Sequence, residues 1–210
     1  MKGIIVDLGI NNIQSLQHKV ARLGVRVEVA DRAIEIDRAD FILLPGVGHF
    51  GEAMSRLRDR NIIETLESRV LSHSVPILGI CLGMQLFSQV SQEGDVTGLG
   101  WIQAKTINLN SENKNIRIPH IGWARIKPVI SGESLLLKDI EEKKRFYFVH
   151  SYHVKCEDSR DIVSTSVYED VEFVSCIRKN NIYGTQFHPE KSHRDGMKVV
   201  WNFLHCAGLV

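Results

Sequence analysis

The chain has 210 residues and a mass of 23.8 kDa, enough to bury a sizeable hydrophobic core in one domain or two small ones. Hydrophobic residues make up 43% and charged residues 24%, a balance that excludes a disordered or fibrous chain. The 26 basic and 25 acidic side chains leave a formal net charge of +1, which disfavours nucleic acid or an anionic membrane as the main partner.

The first half of the chain alternates short apolar runs with helical patterns. Strands are predicted at residues 3–6, 25–29, 41–44 and 77–80, and a helix at residues 13–23 with apolar side chains on one face. Two further helices are predicted around residues 53–58 and 62–71. This rhythm predicts an α/β fold whose mostly parallel sheet is covered by helices on both faces.

From residue 101 onward the pattern changes to short alternating runs, at residues 145–149, 162–167, 173–177 and 182–187, which predict antiparallel additions to the sheet. A last helix carries Met197, Val200, Trp201 and Leu204 on one stripe and ends before Gly208. Repeats and low-complexity linkers are lacking in the sequence, so residues 1–210 are expected to form a single domain.

Targeting signals and metal-binding motifs are also missing from the sequence. The first apolar run ends at Asp7, too early for a signal peptide, and no later run approaches the roughly 18 apolar residues of a membrane span. We therefore expect a cytoplasmic protein. The four cysteines form no CxxC pair, and the histidines of HSYH (150–153) should point to opposite faces of a strand, so neither a metal site nor a cofactor is expected.

The turn after the strand at 77–80 reads GICLG and resembles a nucleophile elbow, in which glycines on both sides of the nucleophile allow a tight turn from strand to helix. The turn would hold the Cys81 sulfur near a helix N-terminus, whose dipole favours thiolate. A free thiol is only a few per cent ionised at neutral pH, so a base is still needed. Burial of Cys81 between two packing glycines is an equally good interpretation of this motif alone.

A second informative turn, GTQFHPEKS (184–192), follows a late strand. His188 and Glu190 are two residues apart, so on an extended backbone both side chains face the same way and the carboxylate can orient the imidazole. Taken alone the two residues could be a surface pair. An elbow cysteine on the same sheet favours a catalytic set of nucleophile, base and orienting carboxylate.

The third turn, PGVGHFG (45–51), spells GxGxxG at Gly46, Gly48 and Gly51. A dinucleotide site is disfavoured, because Pro45 is an unusual lead-in and the next strand ends without an acidic residue for a ribose hydroxyl. Backbone amides turned toward a developing oxyanion are the better interpretation.

Four motifs in this order, PGVGHFGEAM, GICLGMQ, FYFVHSY and GTQFHPEKS, resemble the class I glutamine amidotransferases over the whole chain. PGVG, HIGW (120–123) and HPEKS are closest to the glutaminase subunits of imidazole glycerol phosphate synthase. The resemblance implies a Cys81, His188 and Glu190 triad that hydrolyses the side-chain amide of L-glutamine through a glutamyl thioester. It also implies a heterodimer with a (β/α)8-barrel cyclase, which uses the ammonia to make imidazole glycerol phosphate and AICAR in histidine biosynthesis.

The same resemblance assigns the remaining site residues. The oxyanion would be held by the N–H of Leu82 and by an amide at Val47 or Gly48 after a peptide flip. Glutamine would be bound by four residues, Gln85, Glu93 and the backbone of Ser151 and Tyr152. Three residues, Asn12, His120 and Trp123, match positions near the partner interface.

Two positions depart from the subgroup's pattern. Asn11 stands where a second glycine is usual, and Ala124 follows HIGW where asparagine is common. Both would lie toward the docking face, so they leave the hydrolytic chemistry intact and put the acceptor in question. The alternatives are a paralogous subunit that supplies ammonia to an amidine-forming surface-sugar synthase, and a non-catalytic regulatory chain of the same fold.

Overall fold

A computed structural model describes residues 2–9, 13–111, 116–129 and 135–209. The strands are β1 Gly3–Val6, β2 Val27–Ala30, β3 Phe41–Gly46, β4 Ile77–Cys81, β5 Val90–Ser91, β6 Val96–Thr97, β7 Ala104–Asn108, β8 His120–Pro128, β9 Arg145–His150, β10 Tyr152–Cys156, β11 Ile162–Tyr168, β12 Val171–Lys179 and β13 Ile182–Thr185. The α-helices are α1 Ile13–Ala21, α2 Ala33–Ile36, α3 Phe50–Asp59, α4 Ile63–Glu67, α5 Leu82–Gln85 and α6 His193–Cys206. A π-helical turn continues α4 over Ser68–Ser72.

Within the described residues, nine strands form one mixed sheet in the order β2, β1, β3, β4, β13, β12, β11, β8, β9. Its first five strands are parallel to one another, and from β13 onward each neighbouring pair is antiparallel. This arrangement confirms the predicted α/β sheet with antiparallel additions in the second half of the chain. A smaller sheet, in the order β10, β7, β5, β6, lies beside it.

Both faces of the parallel part are buried, as its continuous apolar strands require. Successive side chains point to opposite faces, so Ile4 and Val6 join one hydrophobic cluster and Ile5 joins the other. Helices α3 and α4 cover the first cluster, and α1 and α6 cover the second. Each fully buried Leu, Ile or Phe contributes about 1.5–3 kcal/mol, which makes the middle strands a firm base for the loops at their ends.

Several element boundaries differ from the predicted ones. The second strand begins at Val27 rather than at residue 25, and the helix predicted over residues 62–71 becomes π-helical after Glu67. The strand predicted over residues 182–187 ends at Thr185, because the chain then leaves the sheet and enters the turn that carries His188. None of the described helices is long and apolar enough to cross a membrane.

Three neighbouring parallel strands, β3, β4 and β13, end at the same edge of the sheet. Gly46 pairs with Cys81, and Thr185 pairs with Ile80 one residue earlier. Ligands of open α/β sheets bind at the carboxyl ends of the strands. The register therefore brings the three turns singled out by the sequence to one place.

Candidate active site

Cys81 is the last residue of β4, and α5 begins at the next residue. Its backbone has φ 54° and ψ −110°, a conformation that L-residues rarely adopt and that costs on the order of 1–3 kcal/mol. The residue is only 4% exposed and lies at the edge of the sheet where β4 ends. The predicted elbow is thus present as a strained turn from strand to helix.

Glycines make this turn possible because neighbouring backbones come closer than a Cβ atom would allow. A Cβ on Gly83 would lie 1.7 Å from the carbonyl oxygen of Leu44, and one on Gly79 would lie 2.7 Å from the carbonyl of Gly83. A Cβ on Gly46 would lie 2.7 Å from the Cβ of Leu82. The interlock of β3, β4 and α5 holds the strained residue in place.

His188 and Glu190 lie in the turn that follows β13. The imidazole Nδ1 and the carboxylate Oε1 are 2.8 Å apart, and both side chains are buried. The turn is fixed to β9, because the N–H of His188 donates to the carbonyl of Tyr147 at 2.9 Å and the Ser192 hydroxyl donates to the carbonyl of His188 at 2.7 Å. Glu190 therefore holds the His188 imidazole in place, as the sequence predicts.

The electrostatics of His188 depend on Cys81 and Glu190. Burial by itself lowers its pKa, but the interaction of His188 with the Cys81 thiolate and the Glu190 carboxylate outweighs burial and raises the pKa of His188 to about 10. Nδ1 is occupied by Glu190, and Nε2 has no hydrogen bond of ordinary geometry to any described residue. The imidazole therefore has one ring nitrogen left for proton exchange on the cysteine side.

A cleft of about 440 Å³ opens over the elbow. It is lined by all the predicted oxyanion and glutamine-binding residues, and β9 and the segment before β8 complete its walls. Its lining is Val47, Gly48, Cys81, Leu82, Gln85, Glu93, Pro119, Val149, His150, Ser151, Tyr152 and Lys191. His188 and Glu190 instead line an adjoining cavity of about 130 Å³, which shares Val47 and Lys191 with the cleft.

The candidate oxyanion donors come from two segments, the start of α5 and the turn after β3. Leu82 is the first residue of α5, where backbone N–H groups have no intrahelical acceptor. Val47 and Gly48 follow β3, and Gly48 has φ +102°, a conformation that suits glycine. Both segments border the cleft.

Glu93 connects the cleft to α3. Its Oε2 accepts the N–H of Phe50, the first residue of that helix, at 2.8 Å, and its own N–H donates to the Ser91 hydroxyl at 3.0 Å. The positive end of the α3 dipole attracts the carboxylate there. Glu93 thus presents a fixed negative charge at the cleft, while one of its oxygens is already occupied.

The other three predicted glutamine-binding residues already make hydrogen bonds within the protein. Gln85 Nε2 donates to the carbonyl of Tyr152 at 2.7 Å, and that carbonyl also faces His150 Nδ1 at 2.9 Å, which fills both of its lone pairs. The Ser151 carbonyl accepts the N–H of Leu109 at 2.9 Å. This leaves the Gln85 side-chain oxygen and one lone pair of the Ser151 carbonyl for a ligand.

The predicted interface residues lie in different environments. Trp123 on β8 is 40% exposed and stacks on His193 at a ring distance of 5.0 Å. His120, at the start of the same strand, is only 3% exposed and stacks on Tyr168 at 4.1 Å, so its side chain does not form part of the exposed face. Asn12, like Asn11, lies outside the described residues.

The expectation for HSYH is wrong in its geometry. His150 ends β9 and His153 lies in β10, because the chain bends at Ser151. Both imidazoles are buried and contact the same ring of Phe173, at 4.8 and 6.2 Å, rather than facing opposite ways. Among the residues that the structure describes, no three His, Cys, Asp or Glu side chains are grouped to hold a metal ion.

Sequence reasoning missed Gln186, which is fully buried immediately after β13. Its Nε2 lies 3.6 Å from the Cys81 sulfur, and its Oε1 lies 3.1 Å from Gln85 Nε2. The signal was available in GTQFHPEKS, where a long polar side chain stands in an otherwise apolar strand end beside the predicted catalytic pair.

Comparisons with known proteins identify the family of the chain. Residues 4–206 match the family model described as glutamine amidotransferase class-I. The chain is 44% identical to imidazole glycerol phosphate synthase subunit HisH 2 of Methanococcus maripaludis, over 97% of this chain and 98% of that one. It is 42% identical to subunit HisH of Bdellovibrio bacteriovorus, over 95% and 97%.

Among solved structures, one chain of PurLQS from Thermotoga maritima superposes with a TM-score of 0.73. The alignment covers 98% of this chain and 98% of that one at 17% identity. At that identity the likeness concerns the fold alone, and it agrees with the mixed sheet described above.

Proposed function

Because the chain belongs to the class I glutamine amidotransferase family, we propose that it hydrolyses L-glutamine to glutamate and ammonia as the glutaminase subunit of an imidazole glycerol phosphate synthase. The observation that carries the proposal is the meeting of two strand ends. β4 presents the Cys81 thiol on a strained turn, and the turn after β13 presents His188 held by Glu190 at 2.8 Å. In this proposal, residues 1–210 form one glutamine amidotransferase domain.

The chemistry begins with transfer of the thiol proton from Cys81 to Nε2 of His188, and the raised pKa of His188 means that the resulting thiolate and Glu190 hold the proton there. The thiolate then attacks the side-chain amide carbon of glutamine and forms a C–S bond. When the C–N bond breaks, the protonated His188 gives its proton to the departing nitrogen, and ammonia and a glutamyl thioester result. A water molecule attacks the thioester with His188 as base, which releases glutamate and restores the thiol.

Negative charge on the amide oxygen develops next to the elbow. The N–H of Leu82 is one donor, and an N–H of the Val47–Gly48 segment is the other after the Val47 peptide turns. Removal of one such donor typically costs about 2.7–4 kcal/mol of transition-state stabilisation. The positive φ of Gly48 supports the proposal that this segment can present an amide to the cleft.

The ammonium group of free glutamine is matched by acceptors in one wall of the cleft. Glu93 meets the substrate ammonium, because it is the carboxylate that lines the cleft over the elbow. The Gln85 side-chain oxygen and the Ser151 carbonyl are further acceptors for the same ammonium. The Tyr152 carbonyl has no lone pair left for the substrate, because it accepts from Gln85 and His150, so it shapes this wall without bonding glutamine.

Ammonia is consumed by a cyclase of the (β/α)8-barrel type, which forms a heterodimer with this chain. Support comes from the names of the relatives and from exposed apolar side chains on β8, with Ile121 61% and Trp123 40% exposed. A contiguous exposed apolar surface often marks a protein interface. The product of the complex is imidazole glycerol phosphate together with AICAR.

The glutaminase proposal is tested by glutamate release with two variants and a matched control. Cys81→Ser and His188→Asn should abolish release while the circular dichroism spectrum stays that of the native chain. Cys156→Ser should keep full activity, because Cys156 is a half-buried thiol on β10 whose pKa is raised to about 12 by burial. Turnover retained by either site variant would end the proposal.

The partner proposal is tested by adding the cyclase of the same organism and its nucleotide ligand. A large stimulation of glutamate release supports the histidine-pathway assignment. Lack of stimulation, with Cys81 still labelled by an electrophilic glutamine analogue, would point to an amidotransferase that serves another synthase, such as one making amidine-bearing sugars. Lack of labelling would favour a non-catalytic regulatory chain.

A further inference from the structure

Gln186 is the polar side chain in contact with the Cys81 sulfur from the β13 side. It is fully buried, and its Nε2 lies 3.6 Å from Sγ, within hydrogen-bond range for sulfur. The thiol also points toward the Val149 carbonyl at 3.7 Å, an acceptor that can favour only the protonated sulfur. Of these two contacts, the Gln186 amide is the one that becomes stronger when the sulfur is negative.

The orientation of the Gln186 amide follows from its neighbours. The Tyr152 carbonyl can only accept, so the group of Gln85 that faces it at 2.7 Å must be the donor Nε2. The same Nε2 lies 3.1 Å from the Gln186 side chain, which must therefore present its oxygen there. The NH₂ of Gln186 is left facing Sγ.

The chain of hydrogen bonds continues behind Tyr152. His150 Nδ1 faces the same carbonyl at 2.9 Å and must carry a hydrogen, so His150 Nε2 accepts from His120 Nδ1 at 3.2 Å. Burial lowers the pKa of His120 to about 4 and that of His150 well below its usual value, so both rings are neutral and the tautomers are set. The donor and acceptor atoms are therefore assigned in all four side chains of this hydrogen-bond network, Gln186, Gln85, His150 and His120.

We propose that Gln186 is a further catalytic residue, which donates a hydrogen bond to the Cys81 sulfur and stabilises the thiolate. The function assigned to it rests on the proposed glutaminase activity. It acts twice in that reaction, first when the thiolate forms and again when the thiolate leaves the thioester. The need for such a donor follows from burial, because a thiolate on a residue that is 4% exposed has little water to solvate it.

The hydrogen-bond chain gives Gln186 its positioning support. Gln85 holds the Gln186 oxygen, and Gln85 is itself held by the wall of the glutamine cleft at Tyr152. The donor is thus aligned before substrate arrives, which is the condition under which a hydrogen bond contributes most to a developing charge. A purely structural Gln186 would link β13 to α5 and leave the reactivity of the sulfur unchanged.

The test uses Gln186→Met, which keeps the size and removes the donor, and Gln186→Glu, which keeps the acceptor for Gln85 and removes the NH₂. Gln89→Glu is the matched control, because Gln89 is exposed and outside the cleft. Alkylation of Cys81 by iodoacetamide is followed peptide by peptide in a mass spectrometer, from neutral to alkaline pH. The other titratable groups around the sulfur stay in place in every variant, namely His188 with Glu190, His150, Glu93 and Lys191.

We expect the alkylation rate at neutral pH to fall about tenfold in Gln186→Met and further in Gln186→Glu, as a lost hydrogen bond to a charged group predicts. At alkaline pH the alkylation rate of each variant should return to that of the parent chain, because the sulfur is then ionised in every variant. In glutamate release, kcat should fall by a similar factor with KM little changed. Gln89→Glu should match the parent chain throughout.

Two results would overturn the assignment. The first is an unchanged alkylation rate at neutral pH in a folded Gln186→Met or Gln186→Glu chain. The second is a rate lowered equally at every pH, which indicates a displaced elbow rather than a lost donor. Failure of the proposed function is a separate outcome, because a parent chain that releases no glutamate still reports the effect of Gln186 on alkylation.

Discussion

Acid should destabilise the chain through its buried neutral histidines, His120 among them. His120 lies between the rings of Phe148 and Tyr168, at 5.2 and 4.1 Å, and only 3% of it is exposed. Burial lowers its pKa from 6.5 to about 4, and its Nδ1 already donates to His150. Protonation would place a charge in this stack, so the folded chain resists a proton that the unfolded chain accepts readily.

The size of the effect follows from the two pKa values. Between the folded value of about 4 and the unfolded value of 6.5 the unfolded state binds more protons, so stability rises with pH in this window. For one such group, going from about pH 7 to about pH 5 lowers the free energy of unfolding by about 1.8 kcal/mol. The loss continues as pH falls and levels off once the folded histidine is also protonated.

Urea denaturation at these two pH values measures the effect in the parent chain and in His120→Gln, which keeps a donor and cannot be protonated. The variant is expected to be less stable at neutral pH, but its loss of stability on acidification should be smaller by about 2 kcal/mol. His18→Gln, at an exposed position of α1, is the matched control and should lose as much as the parent. Equal losses in His120→Gln and the parent would refute the reasoning.

Three further predictions concern the site. Glu190→Gln removes a buried charged hydrogen bond of 2.8 Å from His188, about 2 kcal/mol, so kcat for glutamate release should fall about 30-fold with KM little changed. Glu93→Gln removes the charge that we propose for the substrate ammonium, so KM should rise about tenfold or more with a smaller change in kcat. Gly83→Ala would place a methyl group 1.7 Å from the carbonyl oxygen of Leu44, so thermal unfolding should show a destabilisation of about 3 kcal/mol or failure to fold.

Glu64→Gln is a suitable control for both carboxylate variants, because Glu64 is exposed on α4 and outside the cleft. A Glu190→Gln chain with parental kcat would show that the imidazole does not need the carboxylate. A KM unchanged in Glu93→Gln would remove that residue from substrate binding and leave only its contact with the N-terminus of α3. A Gly83→Ala chain of parental stability would contradict the close packing of β3 against the elbow.

The strands and the elbow were predictable because they depend on local signals. Short, mostly apolar runs mark β1, β3 and β4, and the spacing of Ile13, Leu16 and Val20 marks α1. The end of β13 was missed by two residues, because Gln186 and Phe187 look like strand residues although the chain turns away after Thr185. Such an ending is set by the contact of the next turn with β9, which a local pattern does not contain.

The pairing of side chains across the site was less predictable. Cys81, His188 and Glu190 could be named from their motifs, but the two amide groups between Cys81 and Tyr152 depend on the distance between α5 and β13. His120 looked like an interface residue, and only the packing of β8 under Tyr168 makes it a buried one. Contacts between elements that are distant in sequence have no signature in either element alone.

The strain at Cys81 shows how the core serves the chemistry. A positive φ at a non-glycine residue costs on the order of 1–3 kcal/mol and persists only where the surroundings over-determine it. Here Gly83 lies against the Leu44 carbonyl on β3, and Gly184 on β13 lies against the Met84 side chain of α5, with no room for a Cβ in either place. The strands that carry the oxyanion segment and the histidine are thus the same strands that hold the sulfur in its turn. Loosening this packing should therefore lower kcat before it unfolds the chain.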